Sequence, residues 1–136
     1  MILRDTILIA DDEPLALSTF IEVFRNRIGR TLPGVDFNVL TANSGDEALA
    51  ILESNHENLI AAVFDDRMGN GPLGREIATR AAELSVPSAV FSGTTYDIPD
   101  GEYEVFEKPT GRFDLMDWIS GHLQGHQKAS NRELLL

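Results

Sequence analysis

The sequence predicts an α/β protein built on a doubly wound, five-stranded parallel sheet. Short apolar runs alternate with segments whose apolar residues recur at helical spacing, a pattern typical of right-handed strand–helix–strand units. The run from Thr6 to Ala10 contains no charged residue, as is usual for a strand buried on both faces of a sheet. A chain of 136 residues is long enough for one domain of this kind and too short for two.

We expect each strand to be an apolar run bounded by polar or turn-forming residues. The expected strands cover residues 6–10, 35–40, 59–64, 88–92 and 103–107. Pro33 and Gly34 mark the connection before the second strand, and Pro87 directly precedes the fourth.

Four helices are expected between and after these strands. The first begins at Pro14, because proline is tolerated at the first helical position, and Gly29 is expected to end it. The second opens with a capping box that includes Ser44 and Glu47. The third and the last helices are expected over residues 75–84 and 113–123.

The segment between the fourth and fifth strands is poor in helical signals. Only residues 93–102 remain there, Pro99 and Gly101 oppose helix formation, and residues 97–100 are typical of a turn. We therefore expect a helix in this connection to be missing or reduced to about one turn.

The domain is expected to occupy residues 1–124. Residues 125–136 form a tail that is polar until the leucines at 134–136, and we expect this tail to be flexible or to bind a partner through those leucines.

Composition excludes several classes of function. With 22 acidic and 11 basic residues and an isoelectric point near 4.5, the surface is a poor match for nucleic acid, so we expect no direct nucleic-acid binding. No apolar run is long enough to suggest a membrane segment. The lack of cysteine excludes thiolate chemistry and fits a reducing cytoplasm, where we expect the protein to act.

Polar side chains follow four of the expected strands at the point where each strand ends. They include the pair Asp11 and Asp12, then Asp65, Ser92 and Lys108. Ligands of open parallel sheets bind just beyond the carboxyl ends of the strands, so these groups should converge on one pocket. Carboxylates bind Mg²⁺, while hydroxyl and ammonium groups hold phosphate oxygens. The set is suited to one divalent cation and one phosphoryl group.

Helix capping is the alternative for Asp11 and Asp12, because acidic side chains are favourable at a helix start. Two carboxylates about 4 Å apart repel by about 4 kcal/mol at an effective dielectric constant of about 20. A third carboxylate, that of Asp65, would add to this repulsion. A bound cation explains the cluster better than capping alone.

These motifs resemble those of the receiver domains of two-component response regulators. The similarity rests on the acidic pair after the first strand, on Asp65 followed by Arg67 and Met68, and on the pair Lys108 and Pro109. It covers residues 6–123 and implies a flavodoxin-like fold with strand order 2-1-3-4-5. By this resemblance, the helix missing between the last two strands would belong to the surface that partners usually recognise.

The resemblance also implies the roles of the acidic residues. Asp65 would be the phosphoacceptor and a ligand of Mg²⁺. Asp12 would bind the metal directly, Asp11 would bind it through water, and the backbone carbonyl of Arg67 would complete the protein ligands.

Other positions would act on the phosphoryl group itself. Ser92 and Lys108 would bind its oxygens and drive the conformational switch, and the peptide bond between Lys108 and Pro109 would be cis. Arg67 and Thr94 would flank the path of the attacking water and so tune the lifetime of the phosphorylated state.

Asp66 is the rival of Asp65 as the acceptor. Successive strand residues point to opposite faces, so only one of the two should enter the pocket, and the phasing from Met68 favours Asp65. We interpret Asp66 as a solvated surface charge.

The function implied is that of a bacterial phosphorelay protein. Asp65 would accept a phosphoryl group from the phosphohistidine of a sensor histidine kinase or histidine phosphotransfer protein, and the domain would then bind an unknown downstream protein. It would be a self-phosphorylating and self-dephosphorylating acceptor rather than a turnover enzyme.

One alternative is a degenerate receiver that binds partners without phosphorylation. Another is a phosphohydrolase similar to haloacid dehalogenases, which Arg67 argues against because such enzymes need an aspartate there.

Overall fold

A five-stranded parallel sheet forms the centre of the protein, as the computed structural model shows. The structure describes residues 4–135, and the side chains of residues 4–126. The strands are β1 (Thr6–Ala10), β2 (Asn38–Ala42), β3 (Leu59–Phe64), β4 (Ser88–Ser92) and β5 (Glu104–Glu107). Their order in the sheet is β2-β1-β3-β4-β5, and every neighbouring pair is parallel. Both the predicted fold class and the predicted strand order are confirmed.

Helices cover both faces of the sheet. They are α1 (Pro14–Thr31), α2 (Gly45–Asn55), α3 (Gly74–Glu83) and α4 (Arg112–Leu135), with a 3₁₀ turn at His56–Asn58. Leu8 and Phe64 pack on the face covered by α2 and α3, while Ile7 and Ile9 pack on the face covered by α1 and α4. This alternation gives two apolar cores separated by the sheet.

Two boundaries differ from the sequence prediction. Helix α1 continues through Gly29 and ends at Thr31, where Leu32 precedes Pro33 and is therefore disfavoured in a helical conformation. Strand β2 begins at Asn38, because it pairs with β1 from that residue onward, with Asn38 opposite Thr6. Before it, the chain turns at Gly34, which has a positive φ of 85°.

The C-terminal helix α4 is longer than expected, since its backbone continues past Leu123 to Leu135. The glycines at 121 and 125 lower helix propensity, but most of the residues after them are good helix formers. Flexibility of residues 125–136 stays a prediction, and the side chains of the leucines at 134–136 lie outside the described residues. No helix in the described part of the chain has both the length and the apolar composition that a membrane crossing requires.

The connection between β4 and β5 contains no α-helix in residues 93–103, all of which the structure describes. A turn closed by the N–H of Ile98 on the carbonyl of Thr95 (3.1 Å) takes its place. The side chain of Ile98 packs against the core beneath α3, and the Tyr103 hydroxyl donates to the carbonyl of Pro99 (2.7 Å). The predicted loss of this helix is confirmed.

Gly74 lets α3 approach the end of β3 closely. A Cβ atom at this position would overlap the carbonyl group of Asp65, and the N–H of Gly74 donates to the carbonyl of Asp66 at 2.8 Å. The start of α3 therefore packs directly on the turn that follows β3 (residues 65–67), hereafter called the acceptor turn after the predicted role of Asp65.

We predict that Gly74→Ala lowers the free energy of unfolding by about 1–3 kcal/mol, because the added methyl group must displace backbone atoms. The matched control is Gly29→Ala, a helical position with open space around a Cβ atom, which should raise stability by up to about 1 kcal/mol. Urea unfolding measures both. Equal stability of the two variants would contradict the close packing of α3 on the acceptor turn.

Candidate functional site

The hydrogen-bond ladder of the sheet continues into the polar residues at its carboxyl edge. The N–H of Asp11 donates to the last carbonyl of β2 (3.0 Å), and the N–H of Asp65 donates to the last carbonyl of β1 (3.0 Å). The N–H of Lys108 donates to the carbonyl of Ser92 at 2.9 Å. The backbone positions of these residues are therefore set by the sheet rather than by flexible loops.

Three carboxylates meet at this edge. Asp11, Asp12 and Asp65 each offer an oxygen, and these atoms all lie within 4.8 Å of one another. Asp11 is buried, Asp65 is partly buried and Asp12 is exposed, so the cluster opens towards solvent on the side of Asp12. Like charges this close repel, and the arrangement requires positive charge nearby.

Lys108 supplies part of that charge. Its Nζ atom donates to Asp11 Oδ2 at 2.6 Å and lies 3.4 Å from Asp65 Oδ2. Burial alone would lower the pKa of the Lys108 ammonium, but its hydrogen bond to Asp11 and the negative charges of both aspartates raise the pKa overall. The ammonium also lies 5.3 Å from the centre of the Phe91 ring. Lys108 is thus held in its charged form.

Asp65 is less well compensated. The pKa of its carboxyl group is raised to about 6: burial raises it most, the nearby ammonium of Lys108 lowers it, and the charges of Asp11 and Asp12 raise it. Any positive charge added nearby would therefore stabilise the ionised form of Asp65.

The donor set fits a divalent cation. Three carboxylates and one ammonium leave two uncompensated negative charges when all are ionised. Oxygen ligands from carboxylates are those that Mg²⁺ prefers in proteins.

One oxygen of Asp11 accepts from the N–H of Glu13 (2.9 Å) and the other from Lys108, so Asp11 also stabilises the start of α1. Capping and charge clustering are therefore both present at this residue.

Ser92 is buried at the end of β4, next to the exposed Thr94. Its Oγ atom accepts a long hydrogen bond from the N–H of Thr94 (3.4 Å). That bond uses an acceptor site and leaves the hydroxyl proton able to donate to an anion. After β5, the peptide bond between Lys108 and Pro109 is cis.

Asp66 is not a solvated surface charge, and this interpretation was wrong. The residue is only 1% exposed, and its carboxylate accepts from Arg75 Nε (3.0 Å) and Nη2 (2.6 Å) and from the N–H of Arg75 (3.2 Å). Burial would raise the pKa of this carboxyl group, but the hydrogen bonds and charge of Arg75 lower it overall. Strand alternation turns Asp66 away from Asp65 and beneath α3, where a buried charge needs a cation.

This alternation was the signal in the sequence that could have found the pair. Asp66 had to face the third helix, and Arg75 stands in the first turn of that helix.

Arg67 points towards the β4–β5 connection. Its Nη2 atom lies 3.4 Å from Asp97 Oδ2, and 68% of its side chain is exposed. Its carbonyl as a metal ligand and its side chain as a lifetime determinant stay predictions, as does the lifetime role of Thr94.

Several solved structures are similar to this chain. A response regulator receiver protein from Sinorhizobium medicae WSM419 matches with 26% identity over 90% of this chain and 96% of its own, at a TM-score of 0.71. The receiver domain of the hybrid histidine kinase CckA matches with 25% identity over 87% of this chain and 98% of its own, at a TM-score of 0.65. A CheY-like receiver domain protein from Methanospirillum hungatei JF-1 shares the fold, with 23% identity over 92% and 98% and a TM-score of 0.66.

No family model matches the sequence, and no curated protein matches it. The likeness is therefore carried by three-dimensional structure. The strand order and the similarity to these structures show that the chain has the fold of response regulator receiver domains, and the acidic cluster beside Lys108 supports its assignment as a receiver domain.

Proposed function

We propose that this receiver domain accepts a phosphoryl group on Asp65 from a phosphohistidine, with Mg²⁺ as cofactor, and that phosphorylation changes its binding to a downstream protein. The observation that supports this most directly is the meeting of Asp65 with Asp11, Asp12 and Lys108 at one edge of the sheet. Asp65 is the proposed acceptor because its carboxylate lies in this cluster, whereas Asp66 is already bound by Arg75.

In the proposed step, a carboxylate oxygen of Asp65 forms a bond to phosphorus while the phosphorus–nitrogen bond of the phosphohistidine breaks. The imidazole leaves with the electron pair of that bond and takes up a proton. Lys108 opposes the negative charge on the transferring oxygens, and the Ser92 hydroxyl donates to one of them afterwards. The protein contributes positioning and charge rather than turnover, so we propose an acceptor that phosphorylates and dephosphorylates itself.

Asp11, Asp12, Asp65 and the carbonyl of Arg67 would hold Mg²⁺, Asp11 through water. The metal would neutralise charge on the phosphoryl oxygens. An aspartyl phosphate carries about two negative charges in place of the one on the Asp65 carboxylate, so cation and phosphoryl group should favour each other's binding.

The phosphodonor is proposed to be a sensor histidine kinase or a histidine phosphotransfer protein. The similarity to the receiver domain of a hybrid histidine kinase supports this class of donor. A cavity of about 480 Å³ opens beside Asp65 between α1 and α4, and apolar side chains such as Phe20 and Met116 line most of it. Leu15, at the rim, is 78% exposed, which suits contact with a protein that delivers the phosphoryl group.

The first test is labelling with acetyl phosphate in the presence of Mg²⁺. Intact mass should rise by one phosphoryl group in the wild type and stay unchanged in Asp65→Asn. Asp12→Asn should abolish Mg²⁺ binding, measured by titration calorimetry. Labelling of Asp65→Asn, or a labelled peptide whose phosphoryl group is on Asp66, would overturn the assignment of the acceptor.

The neighbours Asp65 and Asp66 should have opposite effects on stability without Mg²⁺. Because the folded pKa of Asp65 is raised to about 6 from 3.8, this carboxyl group stabilises the fold at low pH, and that contribution is lost as pH rises through about 6. Asp65→Asn should therefore be more stable than the wild type above this range, by about 1 kcal/mol after allowance for screening by solvent, and the gain should vanish below the unfolded pKa.

Asp66→Asn is the matched control. Its folded pKa is lowered, so its carboxylate stabilises the fold above the unfolded pKa, and that stability is lost as pH falls through the folded pKa. Asp66→Asn should cost about 1–3 kcal/mol near neutral pH, since the Arg75 guanidinium loses its charged partner. Thermal unfolding across pH measures both, and the same sign for the two variants would contradict the opposite environments of the two carboxylates.

Arg67 should tune the lifetime of the phosphorylated state. Arg67→Ala should change the rate of dephosphorylation, because Arg67 lies two residues from the acceptor. It should have only a small effect on the free energy of unfolding, because its guanidinium is largely exposed. The control is Arg30→Ala, because Arg30 is exposed and lies in the last turn of α1, at the end of that helix far from the acidic cluster. Phosphoprotein decay followed by intact mass gives both rates; equal decay in Arg67→Ala and the wild type would refute the role.

A further inference from the structure

Arg75 connects three separate segments of the chain. From the first turn of α3 its Nε and Nη2 atoms bind the carboxylate of Asp66 in the acceptor turn. Its Nη1 atom donates to the backbone carbonyl of Asp97 in the β4–β5 connection (2.9 Å), and Nη2 lies 3.7 Å from the carboxylate of that residue. One side chain therefore ties α3, the acceptor turn and this connection together.

The interactions of Arg75 with Asp66 and with Asp97 differ in strength. The pair with Asp66 is bidentate and nearly closed to solvent, because the side-chain exposures are 18% for Arg75 and 2% for Asp66. The carboxylate of Asp97 is more exposed, at 36%, and it is shared with Arg67. Asp66 thus fixes the orientation of the guanidinium, and the remaining donor holds the backbone at Asp97.

The anchored connection has little secondary structure of its own. Within the described residues 93–103 it contains one hydrogen-bonded turn, at 95–98, and an isolated bridge between Gly101 and Tyr103. It begins directly after Ser92, the proposed donor to the phosphoryl group, and it carries Thr94, which is predicted to flank the path of the attacking water. A segment with so few backbone hydrogen bonds depends on tertiary contacts for a defined position.

We propose that Arg75 is a positioning residue for phosphoryl transfer, which holds the β4–β5 connection at a fixed distance from the acceptor turn. This inference rests on the proposed role of Asp65. Arg75 acts through Asp66 and the Asp97 backbone and makes no contact with the reacting atoms. By holding Asp97, it restricts where Thr94 can lie relative to the acceptor turn.

The deciding variant is Arg75→Lys. Lysine keeps the positive charge beside Asp66, but a single ammonium cannot reproduce the fork that binds Asp66 and the Asp97 carbonyl together. Arg80→Lys is the matched control, because Arg80 also lies on α3 and forms its ion pairs with Glu53 and Glu83, away from both segments. A second variant, Asp66→Asn combined with Arg75→Gln, removes both charges and keeps the proposal testable if lysine disturbs folding.

Three quantities are measured: amide exchange, Mg²⁺ affinity and the rate of labelling by acetyl phosphate. In Arg75→Lys, exchange at residues 94–98 should become faster and labelling should slow by about tenfold, because small misplacements of positioning groups cost large factors in rate. Mg²⁺ affinity should stay within about twofold, since three of its four proposed ligands, Asp11, Asp12 and Asp65, are held at the ends of β1 and β3 by the sheet rather than by Arg75. Arg80→Lys should match the wild type in all three.

A purely structural role would lower thermal stability and leave the labelling rate of the folded protein unchanged, and that result would overturn the proposal. Unchanged exchange at residues 94–98 would overturn it as well, whether or not the protein is labelled. Absence of labelling in the wild type would instead refute the proposed function, and the exchange experiment would still decide whether Arg75 holds the connection.

Discussion

The crowding of three carboxylates around one ammonium is the constraint on which the site depends. The parallel ladder brings Asp11 and Asp65 together, because their N–H groups close the hydrogen bonds at the ends of neighbouring strands. Folding therefore imposes a repulsion that Lys108 opposes. Burial, to which the charges of Asp11 and Asp12 add, raises the pKa of Asp65 to about 6 despite the ammonium of Lys108. In the proposed function, this residual negative charge is what would attract a cation to this edge of the sheet, and the cation would in turn attract an anionic group.

Asp65 and Asp66 show how one strand end can serve two purposes. They are adjacent in sequence, yet strand alternation directs the first into the open cluster and the second beneath α3. The first carboxylate is short of positive charge and is suited to react. The second is saturated by Arg75, so it is unsuited to accept a phosphoryl group and serves to hold the surrounding backbone.

Charged contacts also hold the connection between β4 and β5 in place. Where a helix would satisfy its own backbone groups, this segment is held by the core contact of Ile98 and by arginines that reach Asp97 from the acceptor turn and from α3. Arg67 lies two residues from Asp65, the residue whose charge would change on phosphorylation, and Arg75 binds the adjacent Asp66. A change of charge at Asp65 is thus placed to affect the position of a segment with few hydrogen bonds of its own, which is a physical route from chemistry to partner binding.

The sequence by itself determined the fold class, the positions of the strands on either side of the acceptor, the missing helix and the polar residues at the strand ends. These follow from local rules: apolar runs, helical spacing, and the effects of Pro99 and Gly101 on the backbone. The strand order and the individual roles came from resemblance to receiver domains. Tertiary structure alone decided that α1 continues through Gly29, that β2 begins at Asn38, and that Asp66 is buried against Arg75. Each of these outcomes depends on packing or pairing with residues that are distant in the chain, and the free energy of such contacts is absent from any local pattern.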